Sequence, residues 1–282
     1  MHPIDEELQA ALGAVPERLE SISGGCINQA YRCVLSDGRR VFVKCNEDCD
    51  AQMFHAEAAG LAWLAEANAL AVPTVLAVGE TFLALELHEN GRPSADYQAQ
   101  FGRGLAKLHR HGADRFGFAE QGFIATLPQD NRETSDWPSF YSQRRLQPLL
   151  HTAVDQGLAP KSWIDSFDSL FARMPELVGE TEAPSRLHGD LWTGNVHTSN
   201  TGLPMLIDPA CYAGHREVDL AMLRLFGSPS ASFMAAYQDI WPLAPGHQDR
   251  VALYQLYPLL VHLILFGSGY REPCQQALHK YL

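Results

Sequence analysis

The stretch from residue 187 to residue 195 combines side chains that can accept a proton with side chains that can bind a metal ion. It reads Leu-His-Gly-Asp-Leu-Trp-Thr-Gly-Asn, and a short apolar run ending in Asp208 follows it. Transfer from ATP to a hydroxyl takes a carboxylate at the attacking oxygen and oxygen ligands for Mg²⁺. Kinases supply these from a His-x-Asp-x-x-x-x-Asn loop and from a carboxylate after the next strand. We therefore predict Asp190 as the base, and Asn195 and Asp208 as magnesium ligands.

Two polar residues near this loop are candidates for supporting it. His188 comes two residues before Asp190, and the carboxylate is better placed than the imidazole to accept a proton. Asp219 lies at the start of a predicted helix, where it either tethers the loop from below or simply caps the helix. A single Asp before Gly or Pro usually caps a turn. The spacing of His188, Asp190, Asn195 and Asp208 taken together nevertheless favours the kinase motif.

The first third of the chain contains the partners that this motif requires. Lys44 ends an apolar run, in the position from which a kinase lysine reaches the α- and β-phosphates. Glu57 follows thirteen residues later on a predicted helix, where its carboxylate can pair with that lysine. We predict this pair to be part of an ATP site.

Two further segments are predicted to contact the nucleotide. Gly24, Gly25 and Cys26 lie between the first two predicted strands, where backbone N–H groups can approach phosphate. They form only part of the G-x-G-x-x-G pattern, so an ordinary hairpin turn is the alternative. Glu86 and His88 close the last predicted strand before a linker, where the backbone of a kinase hinge would bind adenine.

The periodicity of apolar residues changes from strand-like to helix-like near residue 90. Five strands are predicted before that point, with one helix over residues 52–68, and the later part is mainly helical with a hairpin at 196–207. The later helices are predicted over 95–109, 140–150, 163–174, 217–225, 232–237 and 248–266. We predict an α+β, protein-kinase-like fold: a small β-rich ATP-binding lobe with one helix (1–88) and a larger, mainly α lobe for catalysis and substrate binding (89–282).

Composition narrows the class of partner. The net charge of −12 argues against a nucleic-acid or anionic-membrane surface, because neutralising phosphates takes clustered Lys and Arg. The most apolar stretch, 253–266, is too short and too interrupted to span a bilayer and is predicted to be a buried helix. The acidic N-terminus lacks the features of a secretory signal, so we expect a cytoplasmic protein.

The six cysteines do not form an obvious framework. A chain of this size does not need disulfides, so we expect reduced thiols. Cys45 and Cys49 are the only close pair, and a single C-x-x-x-C is weak support for a zinc site.

The chain as a whole resembles the fructosamine-3-kinase family, a branch near the aminoglycoside and choline kinases. The most specific piece is His-Gly-Asp-Leu-Trp-x-Gly-Asn at 188–195. The other matching segments are 25–27, 41–44, 52–54, 136–141, 144–147, 208–210 and 212–217. Departures from the family pattern occur at Ser23 and at 226–229, where substrate range or loop mobility can change.

The resemblance implies an ATP- and Mg²⁺-dependent kinase that phosphorylates the O3 hydroxyl of a ketosamine, the rearranged adduct of a sugar and an amine. A phosphoester β to a ketone is a good leaving group, so the product would decompose and free the amine, which amounts to deglycation. The resemblance also implies that Trp192 lines the sugar site. An acidic protein is compatible with attraction of the substrate's protonated amine.

The resemblance extends to Cys26, which matches a cysteine that the family carries in its nucleotide loop. A thiol in a partly exposed turn can form a disulfide between chains, so the protein is expected to be a monomer or a redox-dependent homodimer through Cys26. The alternative is that Cys26 is a small loop residue without a redox role.

Two other functions have to be weighed against ketosamine phosphorylation. A kinase of an aminoglycoside, choline or another small alcohol would share every catalytic residue, and Trp192 with segment 136–141 favours the ketosamine. A non-catalytic nucleotide-binding protein with a degenerate kinase fold would have lost one of the catalytic residues. None of Lys44, Asp190, Asn195 and Asp208 is lost.

Overall fold

The computed structural model describes residues 4–22, 28–180 and 182–282. Its N-terminal part is an antiparallel five-stranded sheet with two helices, ordered β1-β2-β3-β5-β4. The elements are α1 (Asp5–Leu12), β1 (Pro16–Ile22), β2 (Gln29–Leu35), β3 (Arg40–Cys45), α2 (Met53–Glu66), β4 (Val75–Val78) and β5 (Phe82–Glu86). The five predicted strands and the helix after β3 are confirmed.

Helix α1 is an element that the sequence analysis did not include. It is eight residues long and acidic, with only Leu8 and Leu12 buried. Both pack in a cluster with Val41 and Val43 of β3 and with Cys33 of β2. This lobe therefore has two helices instead of one, because two leucines in a short polar segment give too weak a periodicity to predict a helix.

The β2–β3 hairpin contains the turn residues that allowed it to be predicted from the sequence. The turn contains Asp37 and Gly38, and Gly38 adopts a left-handed φ of 86° that glycine tolerates. The Asp37 carboxylate accepts the backbone N–H of Arg39 at 3.0 Å. The turn joins β2 and β3 in a register that places Lys44 opposite Ala30 of β2. On its other edge β3 pairs with β5, where Lys44 lies opposite Leu83.

The C-terminal part is mainly helical, as predicted. Its helices are α3 (Tyr97–His111), α4 (Trp137–Phe140), α5 (Gln147–Asp155), α6 (Ser162–Leu177), α7 (Glu217–Leu225), α8 (Ala231–Ile240), α9 (Val251–Phe266) and α10 (Arg271–His279). A π-helical segment, Tyr141–Leu146, joins α4 to α5, so the helix predicted over 140–150 is not a regular α-helix. Helix α10 was not predicted. No helix within the described residues is long and apolar enough to cross a membrane.

Three short antiparallel hairpins or strand pairs accompany these helices. They are β6 (Gly122–Ile124) with β7 (Leu127–Gln129), β8 (Ser185–Leu187) with β11 (Tyr212–Gly214), and β9 (Val196–Thr198) with β10 (Pro204–Leu206). The β9–β10 hairpin confirms the one predicted over 196–207. The other strands, each three residues long, are too short to produce an alternating pattern that a sequence reading can detect.

A buried arginine organises the core beneath the cavity described below. Arg145, from the π-helical segment, has its guanidinium 3.8 Å from the ring centre of Tyr212 and 4.6 Å from that of Phe140. It donates to the side-chain oxygen of Asn131 at 2.6 Å. Aromatic faces and amide oxygens thus stabilise a fully buried cation, and the contact fixes Asn131, which lines the cavity.

Helix α2 is attached firmly to the C-terminal part. Arg186 of β8 lies over the ring of Trp63 at 4.3 Å and donates to the carbonyl of that residue and to Glu66. One turn earlier, Gly60 packs against Cys211; a Cβ there would lie 3.2 Å from the Cys211 sulfur. These contacts determine where Glu57, on the same helix, can lie.

Candidate active site

A cavity of about 770 Å³ lies between the five-stranded sheet and the helical part of the chain. Its volume falls in the range of small-molecule sites. Eight of the predicted site residues line it: Lys44, Glu57, Glu86, His88, Asp190, Trp192, Asn195 and Asp208. His188 and Asp219 are fully buried behind it. Gly24, Gly25 and Cys26 lie outside the described residues, so their predicted contacts with phosphate remain predictions.

Lys44 is the cation of the site. It lies at the end of β3 with only 6% of its surface exposed, and its ammonium contacts Glu57 Oε1 at 2.6 Å and Asp208 Oδ1 at 2.7 Å. Burial alone would lower the pKa of Lys44, but the two carboxylates outweigh it and raise the pKa above its ordinary value. Lys44 therefore carries a full positive charge and connects the sheet, α2 and the segment after β10.

Asp190 and Asn195 occupy the loop between β8 and β9. The Asn195 amide donates to Asp190 Oδ2 at 3.0 Å and to the Asp190 carbonyl at 2.9 Å. Desolvation raises the pKa of the Asp190 carboxyl to about 7, although the hydrogen bond from Asn195 opposes this. A carboxyl group with a pKa near 7 is matched to accepting a proton at neutral pH.

Backbone geometry at two positions shapes this loop. Asp208 has a left-handed φ of 55°, which is uncommon and costly for a residue with a side chain, at about 1–3 kcal/mol. Gly189 has φ 84°, and a Cβ on it would overlap the carbonyl oxygen of Ala210. The chain accepts strain at Asp208, where its carboxylate reaches Lys44, and requires glycine beside Asp190.

Asp219 holds the loop from behind. Its two carboxylate oxygens accept the backbone N–H groups of His188 at 2.8 Å and of Gly189 at 3.0 Å. The ring of His109, from α3, lies 3.2 Å from the same carboxylate and 2.8 Å from the hydroxyl of Tyr237. The sequence analysis found Asp219 but missed His109, because nothing local to α3 indicates a partner 110 residues away.

His188 joins the two halves of the site. Burial lowers the pKa of His188, so the ring is neutral. Its Nε2 donates to the carbonyl of Ile207 at 2.8 Å, while Nδ1 accepts the N–H of Asp190 at 3.3 Å. The ring therefore links the backbone of Asp190 to that of Ile207, the residue before Asp208, consistent with the predicted supporting role.

The end of β5 forms the far side of the cavity. Glu86 donates its backbone N–H to the carbonyl of Thr74 and accepts that residue's hydroxyl at 2.9 Å. The ring of His88 lies 3.6 Å from the Glu86 carboxylate. Both residues line the cavity, and their contact with adenine remains a prediction.

The opposite side is apolar and aromatic. Trp192, with 39% of its surface exposed, lies on the loop after Asp190, and α9 contributes Val261, His262, Leu265 and Phe266. The sequence analysis did not assign α9 to the site. His262, near the end of a mainly apolar helix, was the available signal.

The remaining candidate for a metal site was the pair formed by Cys45, the last residue of β3, and Cys49. Cys45 is buried and Cys49 partly so, and both are free thiols. Within the described residues, no group of three or more His, Cys, Asp or Glu side chains is placed to hold a metal. Asn195 and Asp208 are a smaller set of oxygen donors, which suits Mg²⁺ because that ion retains waters and takes other ligands from phosphates.

The fold and the cavity define the class of protein. A lysine from the third strand of a five-stranded sheet is paired to a glutamate on the following helix. Both face an aspartate-asparagine loop and an aspartate after the next hairpin, which is the arrangement of a kinase-like phosphotransferase.

This chain belongs to the fructosamine kinase family, whose model matches residues 1–282. It is 39% identical over 269 residues to a probable ketoamine kinase of Synechocystis, covering 93% of this chain and 89% of that protein. It is 37% identical over 272 residues to a chloroplastic protein-ribulosamine 3-kinase of rice (Oryza sativa subsp. japonica), covering 94% of this chain and 78% of that one.

Solved structures agree on family and fold. A putative fructosamine-3-kinase from Thermobifida fusca superposes with a TM-score of 0.91 at 36% identity, covering 99% of this chain and 98% of that one. A choline kinase from Streptococcus pneumoniae superposes with a TM-score of 0.66 at 15% identity, covering 99% and 97%. At that identity the second similarity shows the fold alone.

Proposed function

We propose that this protein transfers the γ-phosphoryl group of ATP to the O3 hydroxyl of a ketosamine. The observation that carries the proposal is that Lys44, Glu57, Asp190, Asn195 and Asp208 all line one cavity in a chain of the fructosamine kinase family. The acceptor class follows from relatives named as ketoamine and ribulosamine 3-kinases.

Asp190 is the proposed base. The O3 oxygen of the acceptor attacks the γ-phosphorus, the bond from that phosphorus to the ADP oxygen breaks, and the hydroxyl proton passes to the Asp190 carboxylate. The Asn195 amide, 3.0 Å from that carboxylate, holds it in one orientation. Asp219 and His188 fix the backbone around it and act as positioning residues.

Lys44 is proposed to bind the α- and β-phosphates, with Glu57 keeping its ammonium in place. The cavity suits the phosphates of ATP, because the buried, charged ammonium of Lys44 and the oxygen donors Asn195 and Asp208 all line it. Asn195 and Asp208 would hold Mg²⁺, which when bound neutralises charge on the β- and γ-phosphates.

The two parts of the chain are proposed to have different roles. Residues 1–88 bind the nucleotide, and residues 89–282 carry the catalytic loop and the acceptor site. The product, a phosphoester β to a ketone, eliminates its phosphate and releases the amine, so the proposed outcome is removal of a sugar from an amine. The acceptor is a glycated amine, either a free metabolite or a modified protein side chain.

The test is magnesium-dependent ATP consumption by the purified protein. The panel contains ribulosamine, fructosamine and erythrulosamine adducts, with an aminoglycoside and choline as controls. Turnover confined to the ketosamines is expected. Turnover with the controls alone would support the other kinase function, and binding of ATP without any turnover would support the non-catalytic reading.

A further inference from the structure

Within the described residues, each carboxyl group that lines the cavity contacts another residue of the protein. The pairs are Glu57 and Asp208 with Lys44, Glu86 with Thr74, Glu89 with Arg32 and Arg40, and Asp190 with Asn195. Helix α9, which is described in full, contributes no carboxylate to the cavity. A protonated amine entering from the α9 side therefore meets aromatic rings and an imidazole.

His262 is the polar member of an aromatic cluster on that side. Its ring centre lies 4.7 Å from that of Phe226, 5.3 Å from Phe266 and 5.0 Å from Tyr270. Phe226 in turn meets the ring of Trp192 edge-on at 6.2 Å. The cluster thus extends from the end of α9 to the residue two positions after Asp190.

The tautomer of His262 follows from its hydrogen bond. Its Nδ1 lies 2.7 Å from the carbonyl of Pro258, one helical turn earlier, and a carbonyl only accepts. Nδ1 therefore carries the hydrogen. Burial lowers the pKa of His262, so the ring is neutral and Nε2 keeps its lone pair. Nε2 is on the ring edge away from that carbonyl, in a residue that lines the cavity.

We infer that His262 accepts a hydrogen bond from the protonated amine of the ketosamine through Nε2, and that Trp192 and Phe266 contact the amine and its substituent. The inference rests on the proposed function and adds a specificity-determining residue to it. The amine is on C1 and the accepting hydroxyl on C3 of one short chain, so the two groups would contact neighbouring parts of one cavity that both Asp190 and His262 line.

The physical basis is the match between a cation and this wall. A neutral imidazole accepts a hydrogen bond from an ammonium group and carries no positive charge that would repel it. Aromatic faces attract cations by about 0.5–2 kcal/mol. Phe266 and Trp192 are exposed by 51% and 39%, so the cavity opens where the substituent on nitrogen would leave it. An amine attached to a long or bulky group can therefore be accommodated.

The test compares a ketosamine of propylamine with the matched ether, in which oxygen replaces the N–H. His262→Phe keeps the ring and removes the acceptor. We expect its KM for the ketosamine to rise about tenfold, the value of one charge-assisted hydrogen bond, with the KM for the ether and for ATP unchanged. Tyr270→Phe, a neighbour of His262 outside the cavity lining, is the matched control and should leave all three constants unchanged.

An equal change for ketosamine and ether, or no change for either, would overturn the inference. If His262→Phe does not fold, Phe266→Leu is the alternative variant, because the ring of Phe266 is exposed. Its preference for the amine over the ether should fall about threefold. An unaltered preference would count against the inference. Failure of the wild-type protein to phosphorylate any ketosamine would instead refute the proposed function.

Discussion

The two sides of the cavity are built differently. On the proposed nucleotide side, charged groups meet at short range: Lys44 lies 2.6 Å from Glu57 and 2.7 Å from Asp208, and Asp208 has a strained backbone. On the proposed acceptor side, the ring centre of Phe226 lies 6.2 Å from that of Trp192 and 4.7 Å from that of His262. Fixed charges demand one geometry, whereas aromatic faces tolerate several.

The two sides of the cavity should differ in their kinetic effects. Changes on the nucleotide side should reduce turnover with every acceptor, because they remove interactions made in the transition state. Changes on the aromatic side should alter the KM of the acceptor and leave ATP unaffected. Each prediction below tests one side against the other.

The largest expected effect is that of Asp190→Ala. Removing the proton acceptor should lower kcat by about 10³-fold with any acceptor, while the dissociation constant of ATP changes little because Asp190 does not contact Lys44 or the end of β5. Steady-state kinetics and titration calorimetry with ATP measure the two quantities. Retained turnover would refute Asp190 as the base.

Lys44→Met should lower kcat/KM for ATP by on the order of 10²-fold, since a donor to the transferring phosphates is lost. It should also lower the free energy of unfolding by about 3 kcal/mol, because Glu57 is left buried without its counter-charge. Urea unfolding measures the second effect. Adding Glu57→Gln to the same chain should restore much of the stability and none of the activity; recovery of activity would show that Lys44 acts only structurally.

Gly189→Ala should lower kcat by about 10²-fold, because displacing the Ala210 carbonyl misplaces the Asp190 loop. Gly38→Ala is a matched control: its φ of 86° is close to the 84° of Gly189, but nothing lies within 4 Å of its added Cβ. The control should cost about 1 kcal/mol of stability from the left-handed backbone and keep full activity. Similar losses in both variants would mean that strain, not the contact with Ala210, is responsible.

The smallest expected effect belongs to the aromatic side. Trp192→Leu should raise the KM for a ketosamine about threefold to tenfold, as expected for loss of one aromatic contact, and leave the KM for ATP unchanged. Initial-rate kinetics with each substrate varied in turn distinguish the two constants. An equal rise in both would contradict the separation of the two sides.

The sequence was most informative where function is local. The spacings from Asp190 to Asn195 and on to Asp208 fall within one loop and one hairpin, and Lys44 lies near the end of a strand of clear pattern. These residues were therefore predictable in position, and the structure places them around one cavity. Asp219 was also predictable, because a helix start after the motif is a local feature.

The contribution of helix α9 to the aromatic side was not predictable, for a physical reason. Helix α9 follows the catalytic loop by more than fifty residues, and His262 reaches the cavity only through tertiary packing. The same holds for His109, whose partner Asp219 is on a different helix, and for Arg145, buried in a π-helical segment. The redox role of Cys26 stays a prediction that a non-reducing gel with Cys26→Ala can test.

The measurement that decides the proposed reaction is the structure of the product. The protein is incubated with ATP, magnesium and a ketosamine labelled with ¹³C at C3, and the product is followed by ³¹P and ¹³C NMR together with an assay for free amine. We predict phosphorus coupled to C3, followed by loss of that signal as inorganic phosphate and the amine appear together. Phosphate on another carbon with the amine retained would contradict phosphorylation at O3.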